Sequence, residues 1–274
     1  MSQVSARRGT QEVAGLSKTP RAGRVRLVHV TGAELARDRR AGRLRTETTA
    51  VYLAPAEFID SGHPEVTAKA GELCASIGSR RDAAQAVFYF VRDLRYEGGD
   101  FENLEIYRAS SVLAAGHGYC VGKAALCTAL ARAAGIPARL GFADVRNHLA
   151  SPRLLAAMGT DIFAWHGYSQ LFLGGHWVSV SPTFDPEACR RAGVPPLDFD
   201  GEHDALLQSF DAPGATMAYL KLHGFFHDVP AQFLAAEMQR LYPFAADHGI
   251  TRFEAASKAE TRRQPARWRP ERQI

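Results

Sequence analysis

The sequence GHGYCVGKAALCTALARAAGIPARLGFADVRNHL, residues 116–149, contains the pattern that decides the fold. Apolar residues recur at helical spacing from Lys123 until Gly135, which predicts a helix, and residues 137–145 then form a predicted strand. Cys120 falls in the first turn of this helix. Unpaired backbone N–H groups and the helix dipole favour an anion there, so we expect a lowered thiol pKa and donors for an oxyanion.

Two cysteines occupy the same predicted helix in different surroundings. Cys127 lies between leucines and fits a small buried hydrophobe. Cys120 is flanked by GHGY and VGK, which keep the backbone open and polar. On this segment alone, a nucleophile and a buried structural thiol both remain open for Cys120.

A second pattern, WHGYSQLFLGGHWVSVSPTFD over residues 165–185, consists of two alternating runs joined by Gly174 and Gly175. Such a pattern is typical of a β-hairpin with a two-residue turn. The turn fixes the register and places His166 opposite Thr183. The hairpin therefore predicts which residues can reach the histidine.

Two residues are diagonal neighbours of His166 in this register, Ser181 and Asp185. Only the carboxylate stabilises an imidazolium electrostatically, so Asp185 is the preferred orienting partner. Ser181 remains the alternative. Pro182 lies in the second strand, where proline favours a bulge that would shift the register.

Composition and charge indicate a globular body between two basic ends. The chain has 274 residues, 46% of them hydrophobic. Residues 1–46 carry eleven Lys and Arg against three Asp and Glu, and residues 256–274 carry six against two. We expect a basic, partly disordered extension over residues 1–46, one domain over residues 47–255 and a basic tail.

The same features exclude several classes of function. No nucleic-acid recognition motif accompanies the terminal arginines, so nucleic-acid binding is not predicted. No apolar run approaches the roughly 20 residues of a membrane span, and the first residues lack the apolar segment of a signal peptide. The expected location is cytoplasmic, with no membrane partner. The sequence makes no prediction about the oligomeric state.

Cysteine and histidine spacing does not predict a metal site. The cysteines at 74, 120, 127 and 189 are widely spaced, which favours free thiols over disulfides or structural zinc. His117, Cys120 and His148 are an alternative set of metal ligands, but they contain only one close pair. No cofactor or metal is therefore predicted. Five other histidines are expected in turns or on the surface: His63, His203, His223, His227 and His248.

Further helices are expected to pack on the Cys120 helix. Apolar periodicity predicts them over residues 64–77, 79–94 and 230–241, with Ser79 as an N-cap, and a short strand over residues 25–32. Helices and hairpin together predict an α+β fold.

Three blocks in order carry a family resemblance: the Cys120 segment, the His166 hairpin, and PLDFDGEHDALL with HGFFHDVP, residues 196–207 and 223–230. Over about residues 50–245 the chain resembles the transglutaminase-like superfamily of cysteine enzymes, in its bacterial branch of unknown specificity. The resemblance implies a transglutaminase/papain-like core. In that core, helices pack on an antiparallel β-sheet and the nucleophilic cysteine begins a helix.

The resemblance also implies a papain-like triad of Cys120 as nucleophile, His166 as base and Asp185 as orienting residue. One departure is visible in the sequence. The superfamily's usual third residue is an aspartate directly before Pro-Thr, where this chain has Ser181. The identity of the third member therefore stays open between Ser181 and Asp185.

These residue types predict acyl chemistry on amide bonds through a thioester. The backbone N–H of Cys120 and the loop of Gly118 and Tyr119 are the expected oxyanion donors. Water as acceptor gives hydrolysis, which we favour over transfer to an amine, and the expected substrates are peptides, proteins or small amides. The alternatives are a catalytically silent binding module of the same fold and, less favoured, a metal-binding protein.

Overall fold

The computed structural model describes residues 49–147, 155–156, 158–206 and 218–242. The predicted strand over 25–32 and both basic ends lie outside these ranges. The helices are α1 Pro64–Cys74, α2 Arg80–Asp93, α3 Ala109–Ala115, α4 Cys120–Ala133, α5 Pro186–Ala192 and α6 Ala231–Leu241, with 3-10 turns at Val51–Leu53 and Leu104–Tyr107. The strands are β1 Arg95–Tyr96, β2 His117–Gly118, β3 Ala138–Arg146, β4 Ile162–Leu173, β5 His176–Val180 and β6 Ala218–Phe226.

Four strands form one antiparallel sheet in the order β5-β4-β3-β6. The short strands β1 and β2 pair in parallel beside it, just before α4. Helices α1, α2 and α3 and strands β3 and β4 all pack against α4. The prediction of an α+β fold, with helices packed on an antiparallel sheet, is confirmed.

Helix α4 lies at the centre of the core. Every residue from Val121 to Arg132 is buried, which agrees with a helix that is apolar on nearly all sides. Its few polar side chains have partners: Arg132 donates from Nε to the Ala138 carbonyl oxygen at 2.9 Å, and Thr128 Oγ1 lies 3.1 Å from Ser169 Oγ on β4. The sequence segment that decides the fold therefore becomes its best-buried element.

The predicted hairpin is confirmed in its turn and the adjacent pairs. Gly174 and Gly175 have φ of 56° and 86°, as a two-residue turn requires. The ladder runs from Leu173 opposite His176 to Ser169 opposite Val180 and ends there. His166 is therefore not paired with Thr183; its neighbour across the sheet is Ala143 on β3.

The expected helices are present with shorter bounds. Helix α2 begins where predicted, because Ser79 Oγ accepts a hydrogen bond from the Asp82 amide at 3.1 Å. In the described ranges, no helix combines the length and the apolar character needed to cross a membrane.

Candidate active site

Cys120 is the first residue of α4, and Tyr119 is its N-cap. The start of the helix lies against β4 at Gly167. A Cβ atom on Gly167 would lie 2.9 Å from Val121 Cα, so only glycine permits this approach. Because His166 precedes Gly167, the contact brings the histidine strand to the cysteine helix.

Cys120 and His166 line the same cavity. Cys120 is partly exposed to it, whereas His166 is buried, with 5% of its surface exposed. Tyr119 also lines the cavity, but Gly118 does not; it pairs with Tyr96 in the β1–β2 ladder and lines a different depression. Of the two expected loop residues, only Tyr119 therefore reaches this cavity.

Burial opposes ionisation of the Cys120 thiol. It raises the pKa of Cys120 to about 11, although hydrogen bonds from the backbone N–H groups of Gly167, Val121 and Cys120 act in the opposite direction. The expected lowering of the thiol pKa by the helix N-terminus is thus wrong in direction. Desolvation outweighs these donors, so the raised pKa favours the neutral thiol.

His166 is held neutral by the same dry environment. Burial lowers the pKa of its imidazole to about 4. Its Nε2 lies 3.2 Å from Ser181 Oγ, which in turn lies 2.8 Å from Thr183 Oγ1. Tyr219 on β6 also hydrogen-bonds Ser181. The groups next to the imidazole are therefore linked hydroxyls.

The structure corrects the preferred partner of His166, because the carboxylate of Asp185 makes other hydrogen bonds. Its Oδ1 accepts from the amides of Glu187 and Ala188 at 2.9 Å each, and its Oδ2 accepts from the Tyr96 amide at 2.6 Å. Asp185 is the N-cap of α5, since Pro186 begins that helix and fixes the chain direction. Of the two candidates, Ser181 is the one that contacts the histidine.

Trp165, directly before His166, has a backbone conformation that bulky residues rarely adopt. Among the described residues it is the only one other than glycine with positive φ, at 57°. The β3–β4 register shifts here, with two residues of β4 opposite Asp144. The Trp165 amide donates to Asp144 Oδ1 at 3.1 Å, and the indole stacks on His223 with ring centroids 3.9 Å apart.

The Asp144–His223 contact completes this bulge. His223 Nε2 lies 2.6 Å from Asp144 Oδ1, and only 9% of the His223 side chain is exposed. The expectation that His223 lies in a turn or on the surface is wrong, because its strand position was not evident from sequence. Strained backbone persists only where its surroundings hold it, and Asp144 and His223 hold Trp165 next to His166.

Lys123 was also missed by the sequence analysis. It is fully buried one turn after Cys120, and its Nζ donates to the carbonyl oxygens of Arg92 at 3.0 Å and Leu94 at 2.6 Å. Burial lowers the pKa of Lys123 to about 7, against the effect of Asp185 and other nearby acids. The lysine thereby ties α4 to the end of α2, where carbonyl groups favour a cation.

The alternative metal site lies only partly within the described residues. In residues 49–147, 155–156, 158–206 and 218–242, no three His, Cys, Asp or Glu side chains are grouped so that they could hold a metal ion. His148, the third ligand of the alternative set, falls outside these ranges. All four cysteines are free thiols.

Comparison with known proteins finds one family model that matches part of the chain. Residues 67–182 match the model of the transglutaminase-like superfamily. The match begins in α1 and ends just after Ser181, so it includes Cys120, His166 and Ser181. Over this segment, which is less than half of the chain, the protein is similar to the transglutaminase-like superfamily. A search of curated proteins found no match.

Three solved structures match part of the chain. A protein named as a candidate cysteine protease from Cytophaga hutchinsonii is 20% identical, with 53% of this chain and 45% of that chain covered and a TM-score of 0.40. A candidate protease from Parabacteroides distasonis is 14% identical, with coverage of 48% and 26% and a TM-score of 0.31. A protein named a TGase is 16% identical, with coverage of 58% and 35% and a TM-score of 0.30. The chain thus spans less than half the length of each.

The pH dependence of Cys120 alkylation tests the electrostatics of the cavity. Below a pKa of about 11 the thiolate fraction grows with pH, so labelling by iodoacetamide should rise about tenfold per pH unit between pH 7 and pH 10. Peptide mass mapping measures the rate, and circular dichroism verifies that the fold persists. Rapid labelling of Cys120 at pH 6 with no dependence on pH would instead show a thiolate–imidazolium pair.

Asp144→Ala tests the support of the Trp165 backbone. The substitution removes the acceptor of two hydrogen bonds, so we expect the free energy of unfolding to fall by about 2–3 kcal/mol in urea titrations. Asp161→Ala is the matched control, because it removes an exposed ion pair with Arg146 and should cost less than about 1 kcal/mol. Equal losses in the two variants would contradict a special role for Asp144.

Proposed function

We propose that the protein performs cysteine-dependent acyl chemistry, in which Cys120 attacks an amide or ester carbonyl and forms a thioester. This proposal depends on one observation: Cys120, at the start of α4, lines the same cavity as His166, whose Nε2 contacts Ser181. The match of residues 67–182 to the superfamily model supports the same chemistry. Cys120 is the nucleophile, His166 the base and Ser181 the orienting residue of this proposal.

The hydroxyl network favours one tautomer of His166. The Tyr219 hydroxyl donates to the Leu206 carbonyl oxygen at 3.3 Å, so it accepts the Ser181 proton. Ser181 Oγ is then free to accept from His166 Nε2–H. This arrangement leaves His166 Nδ1 unprotonated, as the nitrogen that takes the thiol proton.

A neutral thiol next to a neutral imidazole requires activation by the base during attack. Sγ bonds to the carbonyl carbon while the thiol proton passes to His166, and the imidazolium then protonates the leaving group as its bond to carbon breaks. Serine–histidine pairs are activated in this way, whereas papain-like pairs are activated by a low thiol pKa. The raised pKa of Cys120 and the lowered pKa of His166 favour the first route.

Backbone donors are available for the tetrahedral oxyanion. The N–H groups of Cys120, Val121 and Gly167 already hydrogen-bond the sulfur in its charged form. When such a donor hydrogen-bonds the carbonyl oxygen of the substrate, it raises the rate by a factor of about 10²–10³. Gly167 was not expected from sequence, because its approach to α4 is a tertiary contact.

Hydrolysis is the favoured outcome, since water is always present and no amine-binding site is evident in the described cavity. Water attacks the thioester carbon, the C–S bond breaks, and the thiol is restored with release of a carboxylic acid. Peptides, proteins and small amides are the substrate classes of this proposal, and transfer to an amine is its alternative acceptor.

A catalytically silent binding module is the second candidate function. It is favoured by one specific observation: His166 contacts hydroxyls where a carboxylate would stabilise its cation, and its pKa is lowered to about 4. Such a module would bind ligand in the same cavity without forming a thioester.

Comparison of Cys120→Ala with Cys127→Ala distinguishes the two functions. Cys127 is a buried thiol of the same helix, so its substitution tests general damage to α4. On a library of peptide and small-amide substrates we expect Cys120→Ala to abolish turnover and Cys127→Ala to retain most of it. Equal turnover by wild type and Cys120→Ala would reject the enzyme assignment, as would no acylation of wild-type Cys120 in intact mass spectra.

Substitutions at the third position test the role of Ser181. Ser181→Ala should lower kcat/KM about fivefold to tenfold, from one lost hydrogen bond worth about 1 kcal/mol. Ser181→Asp should raise the pKa of His166, because a carboxylate favours the imidazolium, and shift the acid limb of kcat/KM upward from about pH 4.

Asp185→Asn is the matched control for this series. It weakens the cap of α5, so we expect about 1 kcal/mol lower stability in urea titrations with kcat/KM nearly unchanged. Loss of activity in Asp185→Asn with normal activity in Ser181→Ala would reverse the assignment.

A further inference from the structure

We infer that the acyl group accepted by Cys120 is short, apolar and uncharged. This inference rests on the proposed function and defines its substrate class. It follows from the walls of the cavity that contains Cys120 and His166, which are built from aromatic and aliphatic side chains. The apolar members are Phe101, Val121, Val145, Met158, Phe163, Ala164, Trp165, Phe184, Leu234 and Met238.

Charged side chains do not contribute to the described part of these walls. Among the described residues that line the cavity, none is Asp, Glu, Lys or Arg, and Asn147 supplies the one amide. A charged acyl group would lose its hydration there without gaining an ion pair, which is costly in an apolar site. The cavity therefore discriminates against carboxylate-bearing and ammonium-bearing acyl groups.

Two of the tyrosine hydroxyls of the cavity, those of Tyr242 and Tyr119, have partners within the protein. The Tyr242 hydroxyl accepts from the Ala164 amide at 2.7 Å and donates to the Ile162 carbonyl oxygen at 3.0 Å. The Tyr119 side chain hydrogen-bonds Tyr107. These rings therefore present mainly their apolar faces and edges to a ligand.

Helix α6 supplies the apolar wall that sets the size of the acyl group. Leu234 and Met238 are four residues apart on its buried face, and Tyr242 follows at the same spacing. The two hydrogen bonds of Tyr242 fix this end of the helix to β4, two residues before His166. The wall is thus anchored to the strand that carries the base.

The volume of the cavity limits the length of the acyl chain. It is about 40 Å³, room for about three water-sized spheres of roughly 10–15 Å³ each. A chain of about four carbons replaces such a group of waters. Each methylene that enters an apolar site should raise kcat/KM about fourfold until the space is filled.

A series of 4-nitrophenyl esters tests the inference: acetate, butyrate, hexanoate and the charged hemisuccinate, each corrected for its uncatalysed hydrolysis. We expect kcat/KM to peak at butyrate, at least tenfold above acetate, with hemisuccinate at least 100-fold below butyrate. Intact mass spectra should show the corresponding acyl group on Cys120 of wild type and no adduct on Cys120→Ala.

Met238→Ala tests which wall sets the length. It lengthens the cavity, so the preference should move from butyrate to hexanoate, while the control Gln232→Ala, an exposed position of α6, should keep the wild-type order. Thermal unfolding verifies that both variants fold. If Met238→Ala does not fold, the ester series with wild type still tests the apolar acyl site.

The outcomes separate the two proposals. Acylation of Cys120 at equal rates by hemisuccinate and butyrate would overturn the apolar acyl site and leave the thioester chemistry intact. An unchanged chain-length order in folded Met238→Ala would overturn the role of α6. No Cys120 adduct from any ester would overturn the proposed function and the acyl site together.

Discussion

The approach of α4 to β4 at Gly167 is the contact on which the candidate site depends. Without a side chain at Gly167, the first turn of α4 lies against the strand, and Val121 fills the space that a Cβ would take. The same contact places a strand N–H near Sγ of Cys120 and the His166 side chain in the cysteine's cavity. A larger residue would force helix and strand apart, which is costly because α4 is buried from Val121 to Arg132 and helices α1, α2 and α3 already pack against it.

Close packing also determines the electrostatics. A helix N-terminus in water would stabilise a thiolate. Here the sulfur of Cys120 lies near the backbone N–H donors only in a position where it is also removed from solvent. Burial has the largest effect on both groups: it raises the pKa of Cys120 and lowers the pKa of His166. Compactness thus brings the nucleophile and base together and at the same time favours their uncharged forms.

Periodicity was sufficient to predict α4, the neighbouring helices and the Gly174–Gly175 hairpin, because these depend on residues close in sequence. The partner of His166 was harder to predict, since the ladder ends at Val180 and register no longer fixes the following side chains. The sequence Asp185-Pro186 is itself a helix-start signal, and it explains why local amides hold that carboxylate. The positive φ of Trp165 had no local signal, because Asp144 and His223, distant in sequence, maintain it.

A hydroxyl at the third position is physically consistent with a base that rests neutral. A buried carboxylate without a cation is costly, and beside His166 it would be stable only if the imidazole were protonated. Ser181, Thr183 and Tyr219 avoid this requirement, since hydroxyls donate and accept without a net charge. The imidazole can then keep its orientation through Nε2–H while Nδ1 stays available as the base. The resting protein holds no thiolate–imidazolium pair, and the free energy of forming that pair is required only during attack. The apolar walls therefore favour a neutral imidazole, a hydroxyl suffices to orient that imidazole, and the neutral thiol must then be activated by this base.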